Sequence, residues 1–124
     1  MPCIKVLTSA PKPDKETIDV FLKKISATLA KHTDRPEALV MTAVNFDFSM
    51  SFAGSTEQPV CFIEVRSISR LEQQRLIAMC QDFCQEVNEH LGVSKDHIYL
   101  TFQDFTDGMW GWNGAVTGTL TLPG

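Results

Sequence analysis

The chain has 124 residues, 44% of them hydrophobic and 21% charged, which is the size and balance of one globular domain and not of a disordered or fibrous chain. Eleven Lys and Arg against fifteen Asp and Glu leave a formal charge of −4, without the basic stripe that a nucleic-acid partner calls for. No apolar run approaches the ~18 residues of a membrane span, and the start, MPCIKVLTSAPKPDKE, lacks the uncharged core of a signal peptide. Four irregularly spaced cysteines, Cys3, Cys61, Cys80 and Cys84, do not make a secreted disulfide scaffold. The expectation is a single acidic domain, 1–124, soluble and cytoplasmic, with no membrane and no nucleic-acid partner.

Residues 3–8, CIKVLT, are short, apolar and β-branched, and Ser9–Pro13 closes them, so they read as a strand and turn. Asp14 is placed to cap a helix whose stripe is Ile18, Phe21, Leu22, Ile25 and Leu29. Thr33-Asp34-Arg35-Pro36 ends that helix, since the residue before a proline avoids the α region. Leu39 to Phe46 is a second strand, 47–59 a loop with a short edge strand at 50–52, and Val60 to Ile68 a third strand. A helix over about 71–91 carries Leu76, Met79, Cys80, Phe83 and Val87 on its apolar stripe and stops at Gly92. His97 to Gln103 is the fourth long strand, and a short strand is expected within 116–122.

The two helical stripes are displaced by 58 residues, and the same displacement carries the strand at Leu39 onto that at His97. A duplicated β-α-β unit is the simplest account. Two right-handed units merged into one four-stranded mixed sheet put both helices on one face, an α/β fold with its other face bare. The strands read as apolar on both sides, with Cys61, Ile63 and Val65 alternating with Val60, Phe62 and Glu64. At ~25 cal/mol per Å², several hundred Å² of wet strand face forfeits on the order of 10 kcal/mol, so an obligate oligomer is expected.

Pro2 has the most chemical content. Initiator methionine is commonly removed before a small residue, which leaves a secondary amine at the end of an interior strand. A terminal amine titrates near ~8, and an apolar pocket lowers that value by disfavouring the ammonium form. The product is a general base poised near operating pH.

Around Pro2 the motifs fall in order: MPCIKVLT, DRPEALVMTAV, MSFAGSTEQPVCFIEVRSI, LGVSKDHIYLTFQD and WGWNGA. Over residues 2 to about 116 the chain resembles the family of macrophage migration inhibitory factor and D-dopachrome tautomerase. The resemblance implies a homotrimer with sheets facing inward and a keto–enol tautomerase (isomerase) that needs no cofactor. Its substrates would be phenylpyruvate-like α-keto acids or dopachrome-like quinonoid acids. In that family the position of Pro2 is the catalytic base. Arg35 stands where a lysine usually holds the substrate carboxylate, Ile68 after Ser67 offers the backbone N–H that binds substrate, and Tyr99 matches a tyrosine lent by the neighbouring subunit. Thr101 replaces a common asparagine, Trp112 matches a rim residue, and Trp110 replaces something smaller and narrows the entrance.

Departures from the family are informative too. The stretch Val60-Cys61-Phe62-Ile63 lacks the CxxC of the cytokine-type members, and about 117–124 is a C-terminal extension in place of the usual terminal phenylalanine. The alternative implied by the resemblance is a cytokine-like protein that binds a receptor through the same fold after leaderless release, its pocket vestigial. Cys80 and Cys84 are expected to be buried structural thiols, and His32, His90 and His97 are too scattered for a metal. Gly54-Ser55 is a turn and not a phosphate loop, because no GK[ST] follows.

Overall fold

A computed structural model describes residues 1–68 and 71–118. Strand β1 spans Pro2–Thr8, helix α1 Lys15–Thr33, β2 Met41–Asn45, β3 Cys61–Ser67, α2 Gln73–Leu91 and β4 Ile98–Asp104. The sheet runs β2-β1-β3-β4. Each outer strand is parallel to its inner neighbour, and the inner pair β1–β3 is antiparallel. Parallel pairing needs a crossover, and α1 and α2 supply the two.

Both helices are 19 residues long and start 58 residues apart. Short 3₁₀ turns at Glu37–Leu39 and Lys95–His97 repeat the spacing, as do the left-handed helix caps Asp34 and Gly92. The duplication inferred from the stripes is thus carried through the caps and turns. Asp14 caps α1 as expected, its carboxylate accepting from the Thr17 N–H at 2.8 Å. The second strand is shorter than its apolar run, because the 3₁₀ turn absorbs Leu39. The segment at 50–52 forms no strand, only an isolated bridge between Phe52 and Ser55.

The core lies between the helices and one sheet face. Ile4, Val6, Cys61, Ile63 and Val65 meet Phe21, Ile25 and Leu29 of α1 and Met79, Phe83 and Val87 of α2, all buried. Two expectations need correcting here. Cys80 is exposed and Cys84 half-buried. Helix α2 packs on α1 as well as on the sheet, which turns Glu86 inward and leaves Cys80 outside the buried arc.

The bare face is also less apolar than the runs suggest. By strand alternation it presents three cross-strand rows: Met41-Cys3-Arg66-Gln103, Ala43-Lys5-Glu64-Thr101 and Asn45-Leu7-Phe62-Tyr99. Arg66 and Glu64 pair at 3.1 Å across one row step. Met41 and Tyr99 are 69% and 66% exposed, so large apolar surface is still open at its margins.

After β4 the chain makes a two-stranded hairpin, β5 Gly111–Trp112 and β6 Ala115–Val116. Asn113 and Gly114 both have positive φ, 53° and 79°, the backbone that a tight Asn-Gly turn requires. Strand β6 overlaps the short strand expected near 116–122 at Val116 alone, and the rest of that range from 119 on, with 123–124, lies outside the described residues.

Candidate functional site

Pro2 opens β1, is buried, and sits opposite Ser67 at the end of β3. That places the chain start inside the sheet, at the edge where α1 delivers Arg35. Asp34 caps α1 in the left-handed conformation and Pro36 forbids another helical turn, so the chain swings out at Arg35. The Arg35 guanidinium Nη2 donates to the Ile68 carbonyl at 3.3 Å. Ile68 directly follows the buried Ser67, whose own carbonyl accepts from the Phe105 N–H at 2.7 Å.

Met1 is attached in this chain and is 2% exposed. Its α-amino group is held below the ordinary value of 8.0, first by burial and then by the positive Arg35, with Cys3 opposing. The Cys3 thiol is pushed up by burial, with Arg66 and the chain-end amine pulling the other way and Glu64 reinforcing the rise. A terminal amine in this corner is therefore held toward its neutral, basic form. One cation stands beside it, and nearby backbone offers polar groups.

The remaining expected residues fall elsewhere. Thr101 and Tyr99 lie on the bare face of β4, in the rows of Lys5 and Leu7. Tyr99 is five rows from Pro2, about 17 Å along the sheet at ~3.3 Å per residue, so it cannot reach its own chain's Pro2. Its ring instead meets Phe52 edge-on, centroids 5.4 Å apart. Trp110 is half-buried and stands edge-on to Phe105 at 5.6 Å, while Trp112 in the hairpin is 42% exposed. The chain thus gathers Pro2, Arg35, Ser67 and Ile68, and leaves Tyr99 and Thr101 on the opposite face of the sheet.

Two residues at the site escaped the sequence reading. Phe105 joins it through its backbone and ring, and Asp104 through a carboxylate that accepts from the Leu71 N–H at 2.7 Å. Neither has a local signature, since an Asp-Phe pair at a strand end is ordinary. No group of three or more His, Cys, Asp or Glu suited to a metal occurs among the described residues. His32 is paired with Asp82 at 2.6 Å and His97 with Asp96 at 2.8 Å. Among the described residues no helix is long and apolar enough to cross a membrane.

The comparisons agree with this architecture. The family model "Macrophage migration inhibitory factor (MIF)" matches residues 1–118, and the chain belongs to that family, within the tautomerase superfamily. A solved homologue from Prochlorococcus marinus superposes with a TM-score of 0.87 at 34% identity, covering 94% of this chain and 99% of that one. A Trichinella spiralis homologue is 31% identical over 96 residues, covering 77% of this chain and 83% of its own length. The Rattus norvegicus factor is 26% identical over 116 residues, covering 94% and 98%.

Proposed function

We propose that this protein is a cofactor-free keto–enol tautomerase whose base is the amine of Pro2 after Met1 is removed. Family membership supports isomerase chemistry at a coarse level. The observation that carries the finer reading is the setting of the chain end: the Met1 amine, one residue before Pro2, is buried beside Arg35 with its protonated form disfavoured, and removal of Met1 would bring the amine to Pro2 in the same corner.

In the proposed reaction Arg35 holds the substrate carboxylate. A guanidinium does this with two parallel N–H donors, a more directional grip than a lysine ammonium. The neutral Pro2 amine takes a proton from the carbon beside the carbonyl. The charge that develops on oxygen is met by the Ile68 N–H, and the proline ammonium returns the proton to the other end of the system. Each atom of the exchange is accounted for by one base and one substrate. Substrates would be α-keto acids such as phenylpyruvate, or quinonoid acids.

Tyr99 enters this scheme only from a neighbouring copy. Its separation of about 17 Å from Pro2 within the chain, and the exposed Met41 and Tyr99 on the bare face, support assembly through that face; a homotrimer is the form proposed.

The test is the rate of phenylpyruvate ketonisation by Met-processed protein beside a Pro2→Gly variant, with intact mass confirming removal of Met1. Loss of a positioned base costs about 10²–10⁴-fold. A variant as fast as the parent would end the proline-base reading.

A further inference from the structure

The proposed scheme leaves open what fixes the Arg35 guanidinium. Among the described residues it donates to the carbonyl of Ile68, the same residue whose N–H is assigned to the developing oxyanion. Ile68 lies just beyond the end of β3, where the sheet ladder no longer holds it. Among the described residues, two bonds reach that stretch from the end of β4. The Phe105 N–H donates to the Ser67 carbonyl at 2.7 Å, immediately before Ile68. The Asp104 Oδ2 accepts from the Leu71 N–H at 2.7 Å, three residues beyond it. The second bond also sits at the start of α2, whose cap residue Glu72 makes no side-chain cap bond.

We infer that Asp104 is a positioning residue: it tethers Leu71 to the end of β4 and so holds Ile68, and through the Ile68 carbonyl the Arg35 guanidinium, in the geometry that grips a carboxylate substrate. Asp104 touches no reacting atom in this scheme. Its loss shows in substrate binding more than in proton transfer, because Pro2 is held separately by its pairing with Ser67. The aromatic pair Phe105–Trp110 hangs from the same point of the chain, so the tether also sets where the aromatic rim stands relative to Arg35.

The kinetic arm of the test rests on the tautomerase reading, and a second arm does not. Asp104→Ala and Asp104→Asn are prepared as Met-processed protein and assayed with phenylpyruvate, while backbone amide exchange of Leu71 is followed by NMR. Asn keeps a side-chain oxygen acceptor, so it is expected to stay within two- to threefold of the parent in every reading. Ala is expected to lose about tenfold in kcat/KM, mainly through KM, and to exchange the Leu71 amide at least tenfold faster, with an unchanged unfolding midpoint. An Asn variant no better than Ala, an Ala variant with unchanged Leu71 exchange, or an Ala variant that does not fold each overturns the inference. If the parent itself does not turn over phenylpyruvate, the tautomerase reading loses its support, and the Leu71 exchange still decides whether Asp104 is the tether.

Discussion

Replacing Glu86 with Gln is expected to stabilise this protein at neutral and alkaline pH and to change little in acid. Glu86 lies in α2 against α1 and is 5% exposed. Its Oε1 accepts from the Thr28 hydroxyl, and its Oε2 has no hydrogen-bond partner. Burial pushes its carboxyl above the ordinary 4.5; the Thr28 hydroxyl, Lys24 and His32 oppose this and Asp82 adds to it. The folded state therefore holds this proton more tightly than the unfolded chain. Its contribution is full below about pH 4.5 and is lost as pH rises through the folded-state value. A buried polar atom without a partner costs about 1–3 kcal/mol, more when charged. Gln keeps the Thr28 bond and removes the charge but leaves one polar atom orphaned, so a gain of about 1–2 kcal/mol at pH 8 is expected. For a domain of this size that is roughly 3–8 °C in Tm. Urea unfolding of parent and variant at fixed protomer concentration, from pH 4 to pH 8, gives the difference curve directly. Holding concentration constant matters because association would itself shift the midpoint. A difference that does not grow with pH, or a variant less stable at pH 8, would refute the reasoning and show that Lys24 already neutralises the charge.

Three further outcomes are expected. If the proline-base proposal holds, the pH–rate profile of Met-processed protein should rise through an amine value below the ordinary ~8. Arg35→Gln should move that value upward, because the removed positive charge had disfavoured the ammonium form, and should raise KM about tenfold or more; a profile that stays put would separate Arg35 from the amine. Thiol labelling of native protein at pH 8 should modify the exposed Cys80 first and spare Cys61, whose thiol burial pushes up to about 12. Early labelling of Cys61 would mean that β3 opens locally. Asp14→Ala should cost about 1 kcal/mol in urea unfolding through loss of the cap to Thr17, and Asp14→Asn much less.

The duplication was legible in the sequence because amphipathic stripes record helix length and facing directly, and Asp14, Gly92 and Pro36 mark ends by local chemistry. The burial of individual positions was harder to read. Cys80 and Glu86 differ in which neighbour they face, and the packing angle of α2 on α1 settles that, which no stripe on one helix encodes. The Asn113-Gly114 turn carried a plain hairpin signal that went unused, since two-residue strands leave almost no pattern around it. Pro2 stood out by its own chemistry and Arg35, Ser67 and Ile68 through a resemblance of motifs, and the fold brings them to one corner. Asp104 could not be found that way. Its part depends on a register match between the ends of β3 and β4, a property of the sheet and not of any short run of residues.

The repeat also limits how many reactive ends one chain can have. The first strand of each half occupies an equivalent place in the sheet, and in a half-length chain pairing with itself both strands would begin with a free amine. In the fused chain the second of those starts is an ordinary peptide link. Val60, just before β3, is buried, its N–H bonded to the Ser9 hydroxyl at 2.9 Å and its carbonyl accepting from the Ser9 N–H at 3.1 Å. A chemistry that depends on a chain terminus is thus present once per sheet however symmetric the sheet is. The two equivalent strand starts therefore differ: one stands beside a buried chain end, and the other is a seam that stitches the halves together.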